Sequence, residues 1–395
     1  MKQSLGVAVI GAGMAGKAHA AAYRTAPTVF DSTLPDIRLV SIADTYEPLA
    51  IATAKRFGFE RHDTSWQAIV DADDIDVVSV VVANSLHREI VEALLAAGKH
   101  VLCEKPLSET IEDARAMVAA ANAASTVARI GLTYRRNPAI AHIRDLVQSE
   151  VLGRVLNFSG NYWTDYACNP DGPISWRYKG QPGSGALADV GSHLTYLAEF
   201  IGGEITEVLG GAFSTAIPTR PKPLGVTVGH EGGAVSEERE AVENDDVAAF
   251  TGRFANGGTA TLQVSRIALG HPNSLMFEIF GEKGAATFDF RNPGQFQLYL
   301  ASDEHANAGY RTVVTGPDHP YWRGGLPMDA QGVGIGQNEG FVYQARAFLE
   351  EVAGIPTLES LPRNASFTEG LHNMLLIDAV AKSALAGGST VAVES

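Results

Sequence analysis

Two side chains capable of acid–base chemistry lie four positions apart in GSGALADVGSHLTYL, residues 183–197. At this spacing Asp189 and His193 share one face of a helix. A carboxylate next to an imidazole can fix its orientation and stabilise its protonated form, as a general base requires. The pair could equally be an ordinary surface contact. A zinc site would need more ligands than the pair supplies, and Cys103 and Cys168 lack ligand spacing.

A lysine that could reach a bound ligand follows an apolar run at residues 100–103, in Glu104-Lys105-Pro106. Ligands of parallel sheets bind beyond the carboxyl ends of the strands, where this lysine is expected. Pro106 fixes its own φ and permits a cis bond before it, which would direct the lysine into the cleft. A solvated lysine in a strand-to-helix turn is the alternative.

The elements that would position these groups begin with LGVAVIGAGMAG, residues 5–16. Residues 7–10 are strand-like and lead into Gly11, Gly13 and Gly16, after which a helix-prone run follows. This is the G-x-G-x-x-G motif between a strand and a helix, which is typical of a dinucleotide pyrophosphate site. A glycine-rich turn without a ligand is the alternative.

The first 132 residues alternate strand-like and helix-like runs, which predicts parallel βαβ units in a doubly wound α/β sheet. The second predicted strand, residues 37–44, ends at Asp44. A carboxylate there can accept hydrogen bonds from both ribose hydroxyls of an adenosine and repels a 2′-phosphate, so it favours NAD over NADP. A turn or helix-capping aspartate is the alternative.

Residues 133–395 are predicted to form a second, α+β domain with a large, mostly antiparallel open sheet. Strand-like runs lie at 153–163, 205–214, 247–255, 258–268, 275–281, 285–290 and 296–300. Residues 216–244 and 316–337 are predicted to be long loops, and 339–352 and 366–386 to be helices.

Composition excludes several classes of function. The chain has 395 residues, a formal net charge of −15 and two cysteines. Its length favours two domains, and its acidity is poorly suited to nucleic acid or an anionic membrane surface. No apolar run reaches transmembrane length, and two cysteines give no disulfide framework. We therefore expect a cytoplasmic protein that binds neither nucleic acid nor membrane.

Together these motifs resemble the Gfo/Idh/MocA (glucose–fructose oxidoreductase / inositol dehydrogenase) family over nearly the whole chain. The motifs that carry the resemblance are GAGMAG at 11–16, His19, Asn84-Ser-Leu-His87, GKHVLCEKP at 98–106 and D-x-x-x-H at 189–193. The resemblance implies a Rossmann domain that binds NAD or NADP, and a second domain that supplies the substrate pocket and dimer or tetramer contacts. Lys105, Asp189 and His193 would be the catalytic residues, with a cis bond after Lys105, and no metal is expected.

The resemblance also implies which residues contact the cofactor: Gly11, Gly13, Met14, Ala15, Gly16, Asp44, Asn84, His87, Glu104 and Lys105. His19 is expected to be structural, and Cys103 to be an inert buried thiol.

A finer resemblance connects four segments with a branch that contains levoglucosan dehydrogenase and certain scyllo-inositol dehydrogenases. These segments are GLTYRRNPA at 131–139, NYWTDYACNPDGPISWR at 161–177, GSGAL at 183–187 and GVGIGQ at 332–337. Gln337 stands where an aromatic residue is expected in levoglucosan enzymes, which leaves a cyclitol or an ordinary pyranose open. Besides Lys105, Asp189 and His193, the expected substrate contacts are Tyr134, Tyr162, Asp165, Trp176, Arg177 and Gln337, of which the first five could equally be core or loop residues.

The expected function is NAD-dependent oxidation of a ring hydroxyl of a cyclic polyol or sugar to the ketone. His193 would take the hydroxyl proton, and Lys105 would stabilise the developing negative charge on the oxygen. Three alternatives stay open: glycoside cleavage through a transient ring ketone, reduction of a keto-sugar, and a sugar-sensing regulator without activity.

Overall fold

Two compact units make up the chain in the computed structural model. The first comprises Met1–Asn137 and Gly316–Leu371, and the second comprises Pro138–Thr315 and His372–Ser395. The structure describes residues 3–31, 34–225, 233–303, 306 and 308–394.

A seven-stranded sheet forms the centre of the first unit. Its strands are β1 (Ser4–Ile10), β2 (Asp36–Ala43), β3 (Arg61–Asp63), β4 (Val77–Val80), β5 (His100–Glu104), β6 (Ala128–Gly131) and β17 (Ala365–Ser366). The spatial order is β17-β6-β5-β4-β1-β2-β3, and all neighbours are parallel except β17 and β6. This is the doubly wound Rossmann arrangement that the sequence predicts. Because β1 lies between β2 and β4, the loops after these three strands meet at one edge of the sheet.

The helices of the first unit bury one face each against this sheet or against each other. They are α1 (Met14–Thr25), α2 (Glu47–Phe57), α3 (Trp66–Val70), α4 (His87–Ala96), α5 (Ile111–Ala123) and α8 (Gln337–Val352). Val7 and Val9 of β1 share a buried apolar cluster with Tyr23 of α1 and with Phe348 and Leu349 of α8. The helix α8 is therefore part of the core of the first unit.

This packing divides the chain differently from the predicted boundary, which placed all of residues 133–395 in one second domain. Residues 133–137 and 316–371 belong to the first unit instead. The physical reason is that the apolar face of α8 packs into the core of the first unit. A buried arginine on α8 adds hydrogen bonds to the same unit. Arg346 donates hydrogen bonds to the carbonyls of Ala26 and Val29 and pairs with Glu350 at 2.8 Å.

A nine-stranded sheet forms the second unit. Its strands are β7 (Val155–Trp163), β8 (Ile205–Ser214), β11 (Val247–Phe254), β12 (Thr259–Ser265), β13 (Ser274–Gly281), β14 (Gly284–Asp289), β15 (Gln295–Leu300), β16 (Arg311–Val314) and β18 (Val391–Ala392). The order is β16-β15-β14-β13-β7-β12-β11-β8-β18, with β7 and β12 parallel and the other neighbours antiparallel. The mostly antiparallel sheet confirms the prediction.

The second unit also contains the helices α6 (Pro138–Gln148) and α7 (Ser192–Gly202), with a π-helical turn at Leu187–Gly191 directly before α7. A further helix, α9 (Phe367–Leu385), begins in the first unit and ends in the second.

The prediction of a loop at residues 216–244 is wrong for part of that segment. Two antiparallel strands form there, β9 (Thr219–Pro223) and β10 (Val235–Ala241), while residues 226–232 lie outside the described residues. Lys222 forms ion pairs across this ladder with Glu238 and Glu240. The two strands pair through their backbones, and the charged residues of β10 give no apolar alternation of the kind that identifies a strand in sequence.

Candidate active site

The glycine loop after β1 has the geometry of a dinucleotide cradle. Gly11 has φ +103°, and a Cβ there would lie 2.0 Å from the carbonyl oxygen of Val81. A Cβ on Gly16 would lie 1.9 Å from the carbonyl oxygen of Gly11, so the close approach of α1 to the loop requires glycine. At Gly13, the residue before α1, a Cβ would meet open space, and no side chain caps the helix. A pyrophosphate therefore fits against the backbone N–H groups at the start of α1.

Asp44, directly after β2, is hydrogen-bonded to the backbone on both oxygens. Oδ2 accepts from the N–H of Ala12 at 2.8 Å, and Oδ1 accepts from the N–H of Tyr46 at 2.9 Å. The carboxylate therefore ties the glycine loop to the end of β2. Each oxygen has a second lone pair, so the predicted ribose contact is compatible with this arrangement.

His19 and Glu104 form a buried pair directly before Lys105. His19 Nε2 donates to Glu104 Oε1 at 2.9 Å, and its Nδ1 lies 3.0 Å from Ser79 Oγ. Burial raises the pKa of Glu104, but the hydrogen bond from His19 and the charges of His19 and Lys105 outweigh it, so the net pKa is lowered. Glu104 Oε2 also accepts from the backbone N–H of Lys105 at 3.1 Å. His19 thus has the structural role that we expected, and it fixes the end of β5.

The Lys105–Pro106 peptide bond is cis, as the resemblance implied. A second histidine supports the same segment: His87 Nδ1 lies 3.1 Å from the carbonyl oxygen of Pro106, and its Nε2 lies 3.2 Å from that of Val82. Burial lowers the pKa of His87 and outweighs these hydrogen bonds. Both ring nitrogens of His87 thus face backbone carbonyls. The predicted contact of His87 with the cofactor stays a prediction. Asn84 begins the short 3-10 turn before α4.

Cys103 is fully buried in β5, and burial raises the pKa of its thiol well above the usual value. The burial agrees with the expected buried thiol, and its inertness stays a prediction.

Two residues far apart in sequence meet within the first unit. Gln337, the first residue of α8, donates from Nε2 to the hydroxyl oxygen of Tyr134 at 3.1 Å. Tyr134 is buried in the 3-10 turn after β6, whereas Gln337 is exposed. Both were predicted to contact substrate, and the structure joins them as one polar pair.

The second unit brings Asp189 and His193 together with residues that the sequence did not reveal. Asp189 lies in the π-helical turn and accepts a hydrogen bond at Oδ2 from the hydroxyl of Tyr166, at 3.0 Å. The ring of His193 lies 6.1 Å from the ring of Tyr162, centroid to centroid. The hydroxyl of Tyr162 donates to Asn273 Oδ1 at 2.8 Å. These five residues make two sets of contacts, Tyr166 with Asp189, and Tyr162 with both His193 and Asn273, and Asp189 precedes His193 by four residues; together they are called here the histidine cluster.

Tyr166 and Asn273 were missed because nothing in their local sequence marks them. They are separated from their partners by 23 and 111 residues. Residues 161–177 were among the segments that carried the finer resemblance. Only the tertiary structure shows which of their aromatic residues contacts Asp189.

Trp176 and Arg177 lie in a loop of the same unit. The guanidinium of Arg177 lies over the Trp176 ring at 4.3 Å, and 56% of Trp176 is exposed. Tyr178 anchors this loop, because the guanidinium groups of Arg220 and Arg266 lie 4.2 and 4.7 Å from its ring. Half-buried Asp165, in the preceding segment, accepts a backbone hydrogen bond from Cys168 through its own carbonyl, at 3.0 Å. Substrate contact by Asp165, Trp176 and Arg177 stays a prediction.

Comparison with known proteins identifies the family. A family model described as "Oxidoreductase family, NAD-binding Rossmann fold" matches residues 5–132, and one described as "GFO/IDH/MocA C-terminal domain" matches residues 140–287. The chain belongs to the Gfo/Idh/MocA oxidoreductase family, as its motifs predicted.

Individual relatives agree with this assignment. Levoglucosan dehydrogenase from Pseudarthrobacter phenanthrenivorans is 38% identical, over 97% of this chain and 96% of the relative. A 1,5-anhydro-D-fructose reductase from Ensifer adhaerens is 30% identical, over 71% and 82% respectively. The structure of a levoglucosan dehydrogenase in complex with NADH and levoglucosan is similar with a TM-score of 0.89 and 35% identity, covering 99% of this chain and 100% of the other.

These findings confirm the predicted fold, an enzyme of the dehydrogenase class, and NAD as its cofactor. No helix in the described ranges is long and apolar enough to cross a membrane. The same ranges contain no group of three or more His, Cys, Asp or Glu side chains arranged to hold a metal ion.

Proposed function

We propose that this enzyme oxidises a ring hydroxyl of a cyclic polyol or sugar to the ketone. The observation that carries the proposal is the histidine cluster, in which a carboxylate fixed by a phenol precedes a histidine by four residues and an aromatic ring borders that histidine. A histidine supported by a carboxylate and bordered by an aromatic ring has the groups that a general base requires. The similarity to levoglucosan dehydrogenase supports the same class of substrate.

The proposed roles follow from the chemistry of each side chain. Bound NAD would supply the acceptor for the hydride that leaves the ring carbon. His193 takes the hydroxyl proton, and Asp189 orients the imidazole or the substrate and favours the protonated imidazole. Lys105 donates a hydrogen bond to the same oxygen and stabilises the negative charge that develops there. The glycine loop and Asp44 hold the cofactor by its pyrophosphate and ribose.

Substrate recognition would come from the remaining predicted residues. Tyr162 and Trp176 offer aromatic faces to ring C–H groups, while Asp165 and Arg177 offer paired acceptors and donors to vicinal hydroxyls. The polar pair of Tyr134 and Gln337 favours a substrate that presents a hydroxyl to these two side chains. We therefore propose an inositol or an ordinary pyranose alongside levoglucosan as candidate substrates.

Alanine substitution of the proposed catalytic residues tests the assignment. Lys105→Ala and His193→Ala should each lower kcat by about 10²- to 10⁴-fold, since each removes a charge-stabilising or proton-transferring group. NADH binding, followed by fluorescence, should persist in both variants. Lys55→Ala, at an exposed position, and His62→Ala, at a half-buried position in β3, serve as controls and should keep wild-type turnover. Near wild-type turnover by either active-site variant would refute the assignment.

A substrate screen defines the specificity. NADH or NADPH formation would be measured with NAD and NADP against inositols, levoglucosan, D-glucose and L-glucose. The similarity to a 1,5-anhydro-D-fructose reductase makes keto-sugar reduction a second candidate, which is the same chemistry in reverse. Faster turnover of a keto-sugar with NADH than of any alcohol with NAD would favour that direction. Release of a free aglycone from a glycoside without net NADH would instead indicate glycoside cleavage.

A further inference from the structure

The hydroxyl of Tyr166 donates a hydrogen bond to the Asp189 carboxylate. The oxygen–oxygen distance is 3.0 Å, and the bond joins the segment after β7 to the π-helical turn before α7. A bond to Oδ2 fixes the rotation of the carboxylate and hence the direction of its second oxygen. A carboxylate that must orient an imidazole or a substrate hydroxyl needs such a constraint.

The phenol keeps its proton throughout the ordinary pH range. Burial raises the pKa of Tyr166 well above its usual value, the charge of Asp189 raises it further, and the charge of Arg266 opposes both. Tyr166 is therefore a permanent donor and Asp189 its acceptor. Tyr178, in the 3-10 turn of the neighbouring loop, also raises the pKa of Tyr166, and His193 follows Asp189 by four residues on α7.

The segment that carries Tyr166 does not depend on this hydroxyl for its conformation. The N–H of Ala167 donates to the carbonyl of Arg266 at 3.0 Å, and the N–H of Thr164 donates to that of Ser265 at 2.8 Å. Arg220 also donates to the carbonyls of Ala167 and Asn169. The backbone on both sides of Tyr166 is thus held by its own hydrogen bonds. Removing the hydroxyl should therefore leave the conformation of this segment unchanged.

We propose that Tyr166 is a positioning residue for catalysis, holding the Asp189 carboxylate in the orientation that the reaction requires. This inference rests on the proposed function, in which Asp189 acts with His193 on a ring hydroxyl. The residue acts through Asp189.

The test is Tyr166→Phe, with Tyr299→Phe as a control that removes a phenol hydroxyl from β15 of the same unit and keeps its ring. Losing a hydrogen bond to a charged group corresponds to about a 10- to 100-fold effect, which we expect on kcat with the substrate KM within about threefold. Losing a donor to the carboxylate raises its pKa, so the acidic limb of the kcat/KM profile should move to higher pH. The control should keep the wild-type kcat and profile.

A double substitution separates positioning from a general structural effect. In an Asp189→Asn background, Tyr166→Phe should cause little further loss, because the two residues act as one unit. The same fold-loss in both backgrounds, or a wild-type kcat and pH profile in Tyr166→Phe, would overturn the inference. If the wild-type enzyme turns over no polyol or sugar, the proposed function is overturned, and this inference with it. Wild-type turnover with an unaffected Tyr166→Phe variant overturns the inference alone.

Discussion

At the scale of single residues, Asp44 has two roles: its position in the motif predicts a contact with the ribose, and its hydrogen bonds shape the glycine loop. Its carboxylate accepts hydrogen bonds from Ala12 in the glycine loop and from Tyr46 before α2. The residue that is predicted to select NAD by its ribose therefore also shapes the loop that is predicted to hold the pyrophosphate. A substitution at this position should affect both ends of the adenosine diphosphate.

Asp44→Asn provides the first prediction. The amide keeps one acceptor, but its NH2 group would face a backbone N–H, leaving a donor unsatisfied at a cost of about 1–3 kcal/mol. We expect the Kd for NADH to rise at least about tenfold, and unfolding without cofactor to begin at lower urea concentration. Fluorescence titration and urea unfolding measure the two effects. Asp74→Asn, which weakens an exposed ion pair with Arg61, is the control. Unchanged NADH affinity in Asp44→Asn would contradict the prediction.

At the scale of elements, a buried hydrogen-bond chain connects α1, β4 and β5. The hydroxyl of Tyr23 lies 2.9 Å from Ser79 Oγ, which contacts His19, which in turn contacts Glu104. The chain ends one residue before Lys105. Because its members belong to three elements, it fixes the end of β5 relative to the first helix.

Glu104→Gln should change how stability depends on pH. The pKa of Glu104 is lowered from its usual 4.5 in the folded protein, so its ionised form stabilises the fold above that pH. This contribution is lost as the pH falls below about 4.5 and through the lower folded-state pKa. We expect the variant to be less stable than wild type by about 1–3 kcal/mol at pH 7, with the difference shrinking towards pH 3. Urea unfolding at several pH values measures this.

Glu109→Gln, an exposed carboxylate in the following loop, is the control for that series. A stability difference between Glu104→Gln and wild type that is the same at pH 3 and pH 7 would show that ionisation of Glu104 plays no part.

Elements with a periodic apolar pattern could be predicted, and elements held by other forces could not. The run 205–214 coincides with β8, and the motif residues Gly11 and Gly16 have the close backbone contacts that their spacing indicated. The strand β3 was missed because Arg61, His62 and Asp63 are all polar. The strands β9 and β10 were missed because β10 is mostly polar and charged and shows no apolar alternation. Likewise the contact of Tyr166 with Asp189 depends on tertiary structure alone.

At the scale of the whole molecule, the chain leaves the first unit at residue 137 and returns to it at residue 316. The sequence could not show this return, since the amphipathic pattern of α8 predicts a buried face without naming its partner. That partner is α1 with β1, through Phe348 and Leu349. The boundary predicted at residue 132 was therefore a boundary of the βαβ pattern and not of the packed core.

Fragments of the chain test this division. Residues 1–137 alone would expose the apolar surface that α8 covers, so we expect dye binding typical of exposed apolar surface and no cooperative unfolding transition. Residues 1–137 joined by a flexible linker to 316–371 should unfold cooperatively and bind NADH. Circular dichroism during urea unfolding and NADH fluorescence compare the two. Equal stability of both fragments would show that α8 is dispensable for the first unit.

The return of the chain at residue 316 also sets an order of events during protein synthesis. Roughly 200 residues separate residue 137 from Phe348 and Leu349, and at about 5–20 residues per second their synthesis takes about 10–40 s. Throughout this interval the nascent glycine loop is already outside the ribosome, while the groove of α1 that α8 fills is still open. The cofactor-binding unit is begun first but completed only after nearly all of the second unit has been translated, so the face of α1 that α8 covers stays exposed until α8 emerges.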